Sequence, residues 1–378
     1  MPTRFAATEL TDDEKSLQLE VRSFCEAELR PGTFRPGLGM AAAASKEFSL
    51  KLGQRGWLGM ALPLEYGGGE RSAVERFVVV EELLRRGAPL EHHWTADRQS
   101  GPVLNRFGTD AQKQRFLPAI CRGELCFCIG MSEPDSGSDL ASVKSRAQRV
   151  PGGWRLTGTK IWTSNAHRAD WIIVLCRTAD AADRHKGLSQ LLVDMHGPGV
   201  TVNPIPFLDG STDFNEVVFN EVFVPDDLLL GSEGQGWRQV TSELSFERAG
   251  PERWISPFLL VELFLREHQG SLSTEALSFL ARCAARWWGI RQISLAVARM
   301  IDEGKAPSVQ SAIGKDLGTQ FEQEVMAGLQ QLIEAEPSLG EGSPFHRLLA
   351  RAILVAPAWT IRGGTNEILR TVIGKGLR

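Results

Sequence analysis

The chain reads as an α+β protein, helical at the front, stranded in the middle and a helix bundle at the back. Three features predict this. Apolar residues recur at helical spacing behind N-capping signals through the first third. From Leu125 the texture changes to short Val- and Ile-rich runs separated by Gly, Pro, Asp and Asn. After Gly236 the helical period returns in long segments. At 378 residues the chain is long enough for two or three domains with a large buried core.

At the front, Thr11 to Glu14 spell a capping box ahead of an apolar-periodic stretch that stops at Pro31-Gly32, and Ser72 to Glu75 open another that stops near Gly87. The stretches Leu125 to Ile129, Trp154 to Thr157, Trp171 to Cys176, Leu188 to Val193, Val200 to Ile205 and Glu216 to Phe219 read as strands. Helices are expected at about 237–266, 273–303, 308–335, 345–360 and 365–375, with Glu334 to Ser343 as a loop. No internal repeat is present.

Net charge is −4 with acids and bases interspersed, which points away from nucleic acid and membrane surfaces and toward a small-molecule partner. No apolar run approaches a membrane span, and Met1 to Leu10 lack a signal-peptide layout, so a cytoplasmic protein is expected. The six cysteines show no zinc spacing and sit among apolar neighbours, which predicts reduced, buried thiols and no metal.

Two runs carry the chemistry: Met131 to Asp139 (MSEPDSGSD) and Lys160 to Asn165 (KIWTSN). Each follows a strand-like stretch and places small hydroxyl residues where backbone and side chain can bind a planar polar ring or a diphosphate. Trp162 adds a flat aromatic face. Alone, the first run is an ordinary turn and Trp162 an ordinary core tryptophan. The pair at this spacing is far more specific.

With the later run Val224-Pro225, Leu230-Gly231, Gly234 and Gly236-Trp237, these motifs resemble the acyl-CoA dehydrogenases, FAD-dependent enzymes of lipid metabolism and β-oxidation that desaturate acyl-CoA thioesters between Cα and Cβ. Gly56-Trp57, Pro63, Glu65 to Gly68, Gly108-Thr109, Gln112-Lys113 and Leu117-Pro118 extend the likeness toward the N-terminus. The resemblance implies an N-terminal helical domain over 1–122, a middle β-barrel or sandwich domain over 123–231 that binds flavin, and a C-terminal four-helix bundle over 232–378.

Carried over by position, Ser132 approaches the pyrimidine edge of the flavin, Ser138 the pyrophosphate and Ser164 the N5 side, while Trp162 lies against the ring. Met131, Gly137, Thr163, Thr365 and Asn366 complete the cofactor set. Donors held at the ring stabilise the electron density of the reduced cofactor. Ser136 stands where the family usually has a small apolar residue, and Ser132 and Ser164 where threonine is common.

The resemblance also implies a carboxylate that removes the α-proton, its pKa raised to about 6–7 by burial. Many family members place it just before a Gly-Thr pair near the C-terminus. Here Ile361 to Glu367 reads IRGGTNE, so that position is Gly363. Isovaleryl and long-chain types instead carry the acid in a Glu-Arg pair on an earlier helix, and Glu243 to Arg248 reads ELSFER, which makes Glu247 the expected base. Pro251 should open the helix beside it. Gly363 is expected to donate its N–H to the thioester carbonyl and, lacking a side chain, to admit branched or bulky, even steroid-derived, acyl groups. Glu367, one helical turn further on, is the competing base. Arg98 and Gln99, with Trp94, His92 and His93, either line the acyl pocket together with Ser138 and Arg248 or belong to a solvated loop.

Most homotetrameric members clasp the adenosine half of FAD through an Arg before Phe-Gly and a later Gln with Gly-Gly. Leu265 to Gly270 and Gln331 to Glu336 keep neither run. This pattern implies the base-bearing member of an α2β2 assembly with a related subunit, or a homotetramer, passing electrons to electron-transfer flavoprotein. The competing readings are an acyl-CoA oxidase and a non-catalytic partner subunit.

Overall fold

A computed structural model of the chain describes residues 5–6, 8–39, 43–247 and 250–377, and for 243–247 the backbone alone. It divides into two compact units: one of residues 1–43, 72–89 and 245–378, the other of 44–71 and 90–244. The helical front of the sequence is thereby shared between them.

The second unit is built on a sheet of β1 (Phe127–Gly130), β2 (Arg146–Val150), β3 (Gly153–Ser164), β4 (Trp171–Arg177), β5 (Leu188–Asp194), β6 (Val200–Ile205), β7 (Phe214–Pro225) and β8 (Leu229–Leu230). Their order is β6-β7-β3-β2-β4-β5-β8, with β1 running parallel to β4. The interior strand β4 is buried from Ile172 to Cys176, as its unbroken apolar run requires. Pro204, which has no N–H to give, sits on the terminal strand β6. The polar strand β2, not expected from its sequence, pairs with β3 around Pro151-Gly152.

In the first unit, α1 (Asp12–Glu28) packs on α3 (Ala73–Arg85), with α2 (Lys46–Gln54), α4 (Gly101–Phe107) and α5 (Asp110–Cys121) belonging to the other unit. The capping boxes at Thr11/Glu14 and Ser72/Glu75 form as expected, and Thr109/Gln112 makes a third. The back of the chain gives α6 (Gly236–Glu247), α7 (Phe258–Glu267), α8 (Thr274–Asp302), α9 (Ser308–Gln331), α10 (Pro344–Val355) and α11 (Asn366–Gly376). The single helix expected at 237–266 is therefore two. Pro251 heads a separate 3₁₀ turn, Pro251–Arg253, and Pro257 precedes α7. A proline lacks the N–H that would continue the ladder.

Charge pairs tie α1 and α3 to the later helices: Arg291 clasps Glu81 at 2.6 and 2.8 Å, and Arg299 reaches Glu14 at 2.5 Å. The six cysteines are buried and free, and burial pushes Cys25, Cys126 and Cys176 up to about 12. Among the described residues no helix is long and apolar enough to cross a membrane.

Candidate active site

In the second unit β1 delivers the chain into the first motif, and β3 carries the second. Glu133 and Ser136 exchange backbone hydrogen bonds at 2.8 and 3.0 Å, closing a tight turn. Ser136 is buried and donates to the carbonyl of Asp139 at 2.7 Å, which accounts for a hydroxyl where an apolar residue was expected. Gly137, Ser138 and Asp139 are exposed, and a Cβ at Gly137 would meet nothing within 4 Å.

The two motifs are stitched together. Ile161 N–H donates to Ser132 O at 2.9 Å, and Lys160 Nζ donates to Met131 O at 3.0 Å and to Glu133 at 2.7 Å. Both charged side chains are essentially inaccessible, at 0 % and 6 % exposure. Glu133 also accepts from the N–H groups of Lys144 (2.5 Å) and Ser145 (2.9 Å). Burial alone would push the Glu133 carboxyl up, but the Lys160 ammonium and these donors hold it below its ordinary value. Sequence reasoning missed this pair. The available signal was a lysine on the inward face of an alternating strand, in line with Trp154 and Leu156.

Between Lys160 and Thr163 the β3–β7 register slips, Ile161 and Trp162 of β3 together opposing Glu216 of β7. Trp162 sits in this bulge with φ +59° and is 54 % exposed, its ring edge-on to Phe214 at 6.3 Å. A tryptophan held left-handed and turned outward is strained, and such strain concentrates at functional sites. Thr163 beside it is buried, and its Oγ1 has no hydrogen-bond partner. Ser164 is half-buried opposite Phe214. Asn165, buried and also left-handed, donates to Glu91 and accepts from Arg168 at 3.1 Å. Open space at Gly137, an outward aromatic face and an orphaned buried hydroxyl together suit a flat ring with a diphosphate tail.

Arg98 and Gln99 lie in a π-helical turn, Ala96–Ser100, that packs against β1. Arg98 stacks over Trp94 at 4.6 Å, and Asp97 accepts the N–H of Gly59 at 2.7 Å. The histidines are interior: His93 Nδ1 lies 2.8 Å from Ser49 Oγ, and burial brings its pKa down to about 4. The solvated-loop alternative does not hold.

The remaining candidates belong to the other unit. Gly363 and Gly364 have φ of +67° and +90°, which glycine adopts without strain. Thr365 N-caps α11, accepting from Ile368 N–H at 3.4 Å. Asn366 is buried and its Oδ1 accepts from Lys315 Nζ at 2.8 Å and Thr319 Oγ1 at 3.2 Å. Lys315 also donates to Thr360 O (3.1 Å) and Gly364 O (2.7 Å), so it grips the glycine turn from both sides. Burial, then the neighbouring Arg253 and Arg362, bring this ammonium down to about 7. Arg362 is held by Glu322 at 2.8 Å and by Glu252 O at 2.7 Å. Lys315 too was missed, although it shares a buried stripe with Ala312, Thr319 and Glu322 on α9. Glu367 is exposed in the first turn of α11, and its own backbone N–H and Thr365 hold its carboxyl below the ordinary value. It is the wrong environment for a base. Glu247 is the last residue of α6, its side chain outside the described residues, as is Arg248 altogether.

Comparison with known proteins agrees with this arrangement. Residues 11–124 match the N-terminal domain of acyl-CoA dehydrogenase, 128–222 the middle domain and 277–378 the C-terminal domain. The acyl-CoA dehydrogenase IpdE1 of Mycobacterium tuberculosis is 34 % identical over 341 residues, covering 87 % of this chain and 86 % of that protein. The acyl-CoA dehydrogenase FadE34 of the same organism is 32 % identical over 363 residues, covering 93 % of this chain; the chain spans 48 % of FadE34, about half its length. Among solved structures, the Tcur3481-Tcur3483 steroid ACAD superposes with a TM-score of 0.88 at 28 % identity, covering 98 % of each chain. The chain thus belongs to the acyl-CoA dehydrogenase family.

Proposed function

We propose that the chain carries out FAD-dependent α,β-dehydrogenation of an acyl-CoA thioester with a branched or ring-bearing acyl group. The observation that carries this reading is the strained, outward Trp162 on a strand bolted to the Ser132 turn by the buried Lys160–Glu133 pair. A flavin held there would supply the acceptor for the hydride that leaves the β-carbon. Ser132, Thr163 and Ser164 would hold and orient the ring, Gly137 and Ser138 would take the diphosphate, and Trp162 would shield the ring from water. Glu247 removes the α-proton, and the Gly363 N–H donates to the thioester carbonyl oxygen, favouring the charge that builds there. The steroid substrate named for the similar Tcur3481-Tcur3483 protein supports a bulky acyl group.

The test is Glu247→Gln, assayed with linear, branched and steroid-derived CoA esters by loss of flavin absorbance. Activity within tenfold of wild type on a cognate ester would overturn the assignment of the base. Reduction without release of peroxide supports electron-transfer flavoprotein as acceptor; peroxide release supports the oxidase reading.

A heteromeric assembly is favoured by a second observation. Leu265 to Gly270 and Gln331 to Glu336 keep neither of the runs that clasp the adenosine half in homotetrameric members, and of the two C-terminal cofactor candidates the Thr365 hydroxyl caps α11 and the Asn366 amide oxygen is committed to Lys315 and Thr319. The similar solved structure is likewise named for two gene products. A related subunit completing the nucleotide site in an α2β2 complex follows. Full FAD occupancy in a tetramer made from this chain alone would refute the partner requirement.

A further inference from the structure

The room expected for a bulky acyl group from the missing side chain at Gly363 is not there: the side-chain volume at that position is already filled. A Cβ built on Gly363 would lie 2.7 Å from Arg253 Nη2, 2.9 Å from its Cζ and 3.1 Å from Nη1. The guanidinium is buried, 1 % exposed, and its neighbour Glu252 is fully buried. Its place is fixed by close backbone packing: a Cβ at Gly318 of α9 would lie 2.6 Å from the carbonyl oxygen of Arg253, so only glycine lets α9 approach the 3₁₀ turn. Arg362, donating to Glu252 O at 2.7 Å, pins the same turn from the other side.

We propose that Arg253 is a positioning residue that commits proton abstraction to α6: its guanidinium fills the side-chain volume at residue 363 and makes that position unusable for a carboxylate base. The proposal rests on the reading of Glu247 as base for its chemical part, whereas the steric part stands alone. A glutamate at 363 would be left-handed, crowded and in contact with a fixed cation. An opposite charge at that distance favours the ionised carboxylate, whereas the reaction needs an acid that holds a proton near neutrality.

A double-mutant cycle on unfolding tests the steric part without any turnover. Gly363→Ala should lower the folded-to-unfolded ratio at least fivefold more in the wild-type background than in Arg253→Lys, whose slimmer head leaves the space. The left-handed penalty on alanine is common to both backgrounds and cancels. If Arg253→Lys does not fold, Glu252→Gln/Arg253→Met removes the buried pair together and serves the same cycle. Additive effects, within twofold, would overturn the steric claim. For the chemical part, Glu247→Gln/Gly363→Glu should regain no activity over Glu247→Gln. Adding Glu252→Gln/Arg253→Met should raise it at least tenfold. Recovery by Gly363→Glu with Arg253 in place would overturn the proposal, while an active Glu247→Gln alone would refute the base and leave the steric result of the cycle intact.

Discussion

Replacing Lys160 by methionine is the sharpest perturbation available, because it breaks one pair that serves both the stability of the sheet unit and the geometry of the cofactor arms. Lys160 Nζ bridges Glu133 at 2.7 Å and Met131 O at 3.0 Å, with both charged side chains out of solvent. Methionine fills much of the stem's volume against Gly130 and Ile172, so the loss is electrostatic rather than a cavity. Removing one partner of a buried pair costs about 3–5 kcal/mol, since the other charge stays buried without compensation. Glu133 keeps its two backbone donors, which places the expected loss toward the lower end, about 3 kcal/mol. Urea unfolding of K160M against wild type reads this directly, and FAD titration should show weakened binding, because the Ser132 turn loses its anchor to β3. In wild type the Glu133 carboxyl, despite its burial, is held below its ordinary value chiefly by Lys160, so wild type loses this contribution as pH falls and Glu133 takes up a proton, and the variant's deficit should shrink. The double variant E133Q/K160M should recover most of the loss. A K160M protein within about 1 kcal/mol of wild type, with unchanged FAD affinity, would refute the idea that this pair couples the two motifs.

Three further outcomes follow from the same geometry. At the bulge, W162G should match or exceed W162A in stability by about 1 kcal/mol, since only glycine escapes the left-handed penalty, while both lose flavin affinity alike in equilibrium titration. His93 is held neutral to about 4 against an ordinary value of 6.5, so its contribution is fully present above pH 6.5 and is lost as pH falls toward 4, roughly 3 kcal/mol in all; H93N should flatten the acid limb of the stability curve. Lys315 sheds its proton near pH 7 when folded but near 10.5 when unfolded, so wild type should gain on K315M by about 1.4 kcal/mol per pH unit from 7 upward, measured by denaturant unfolding at pH 6 and 8.5.

What the sequence revealed was local. Thr11 with Glu14 and Ser72 with Glu75 name their helix starts because both capping partners lie within one turn. The strands β4 and β5 announce themselves through Val, Ile and Leu, whereas β2, written RAQRV, takes its structure from pairing with β3 and carries no such mark. The cofactor arms were legible as motifs, but the reason they stay together was not. Glu133 meets Lys160 only once the turn after β1 is laid beside β3, and Lys315 meets Asn366 only when α9 packs on α11. A buried lysine is indistinguishable in sequence from a solvated one until its face of the element is known. The same holds for His92 and His93, whose polarity suggested a loop or pocket and whose interior placement depends on α2 and the π-helical turn.

The chain passes between its two compact units four times, near residues 43, 71, 89 and 244. During synthesis the sheet unit has all its residues once 244 has emerged. The helices α1 and α3, made far earlier, meet Arg291 and Arg299 of α8 only afterwards, so Glu14 and Glu81 wait for these partners while more than half of the polypeptide is added. Trimming the C-terminal helices would therefore strip the support from the oldest part of the nascent molecule.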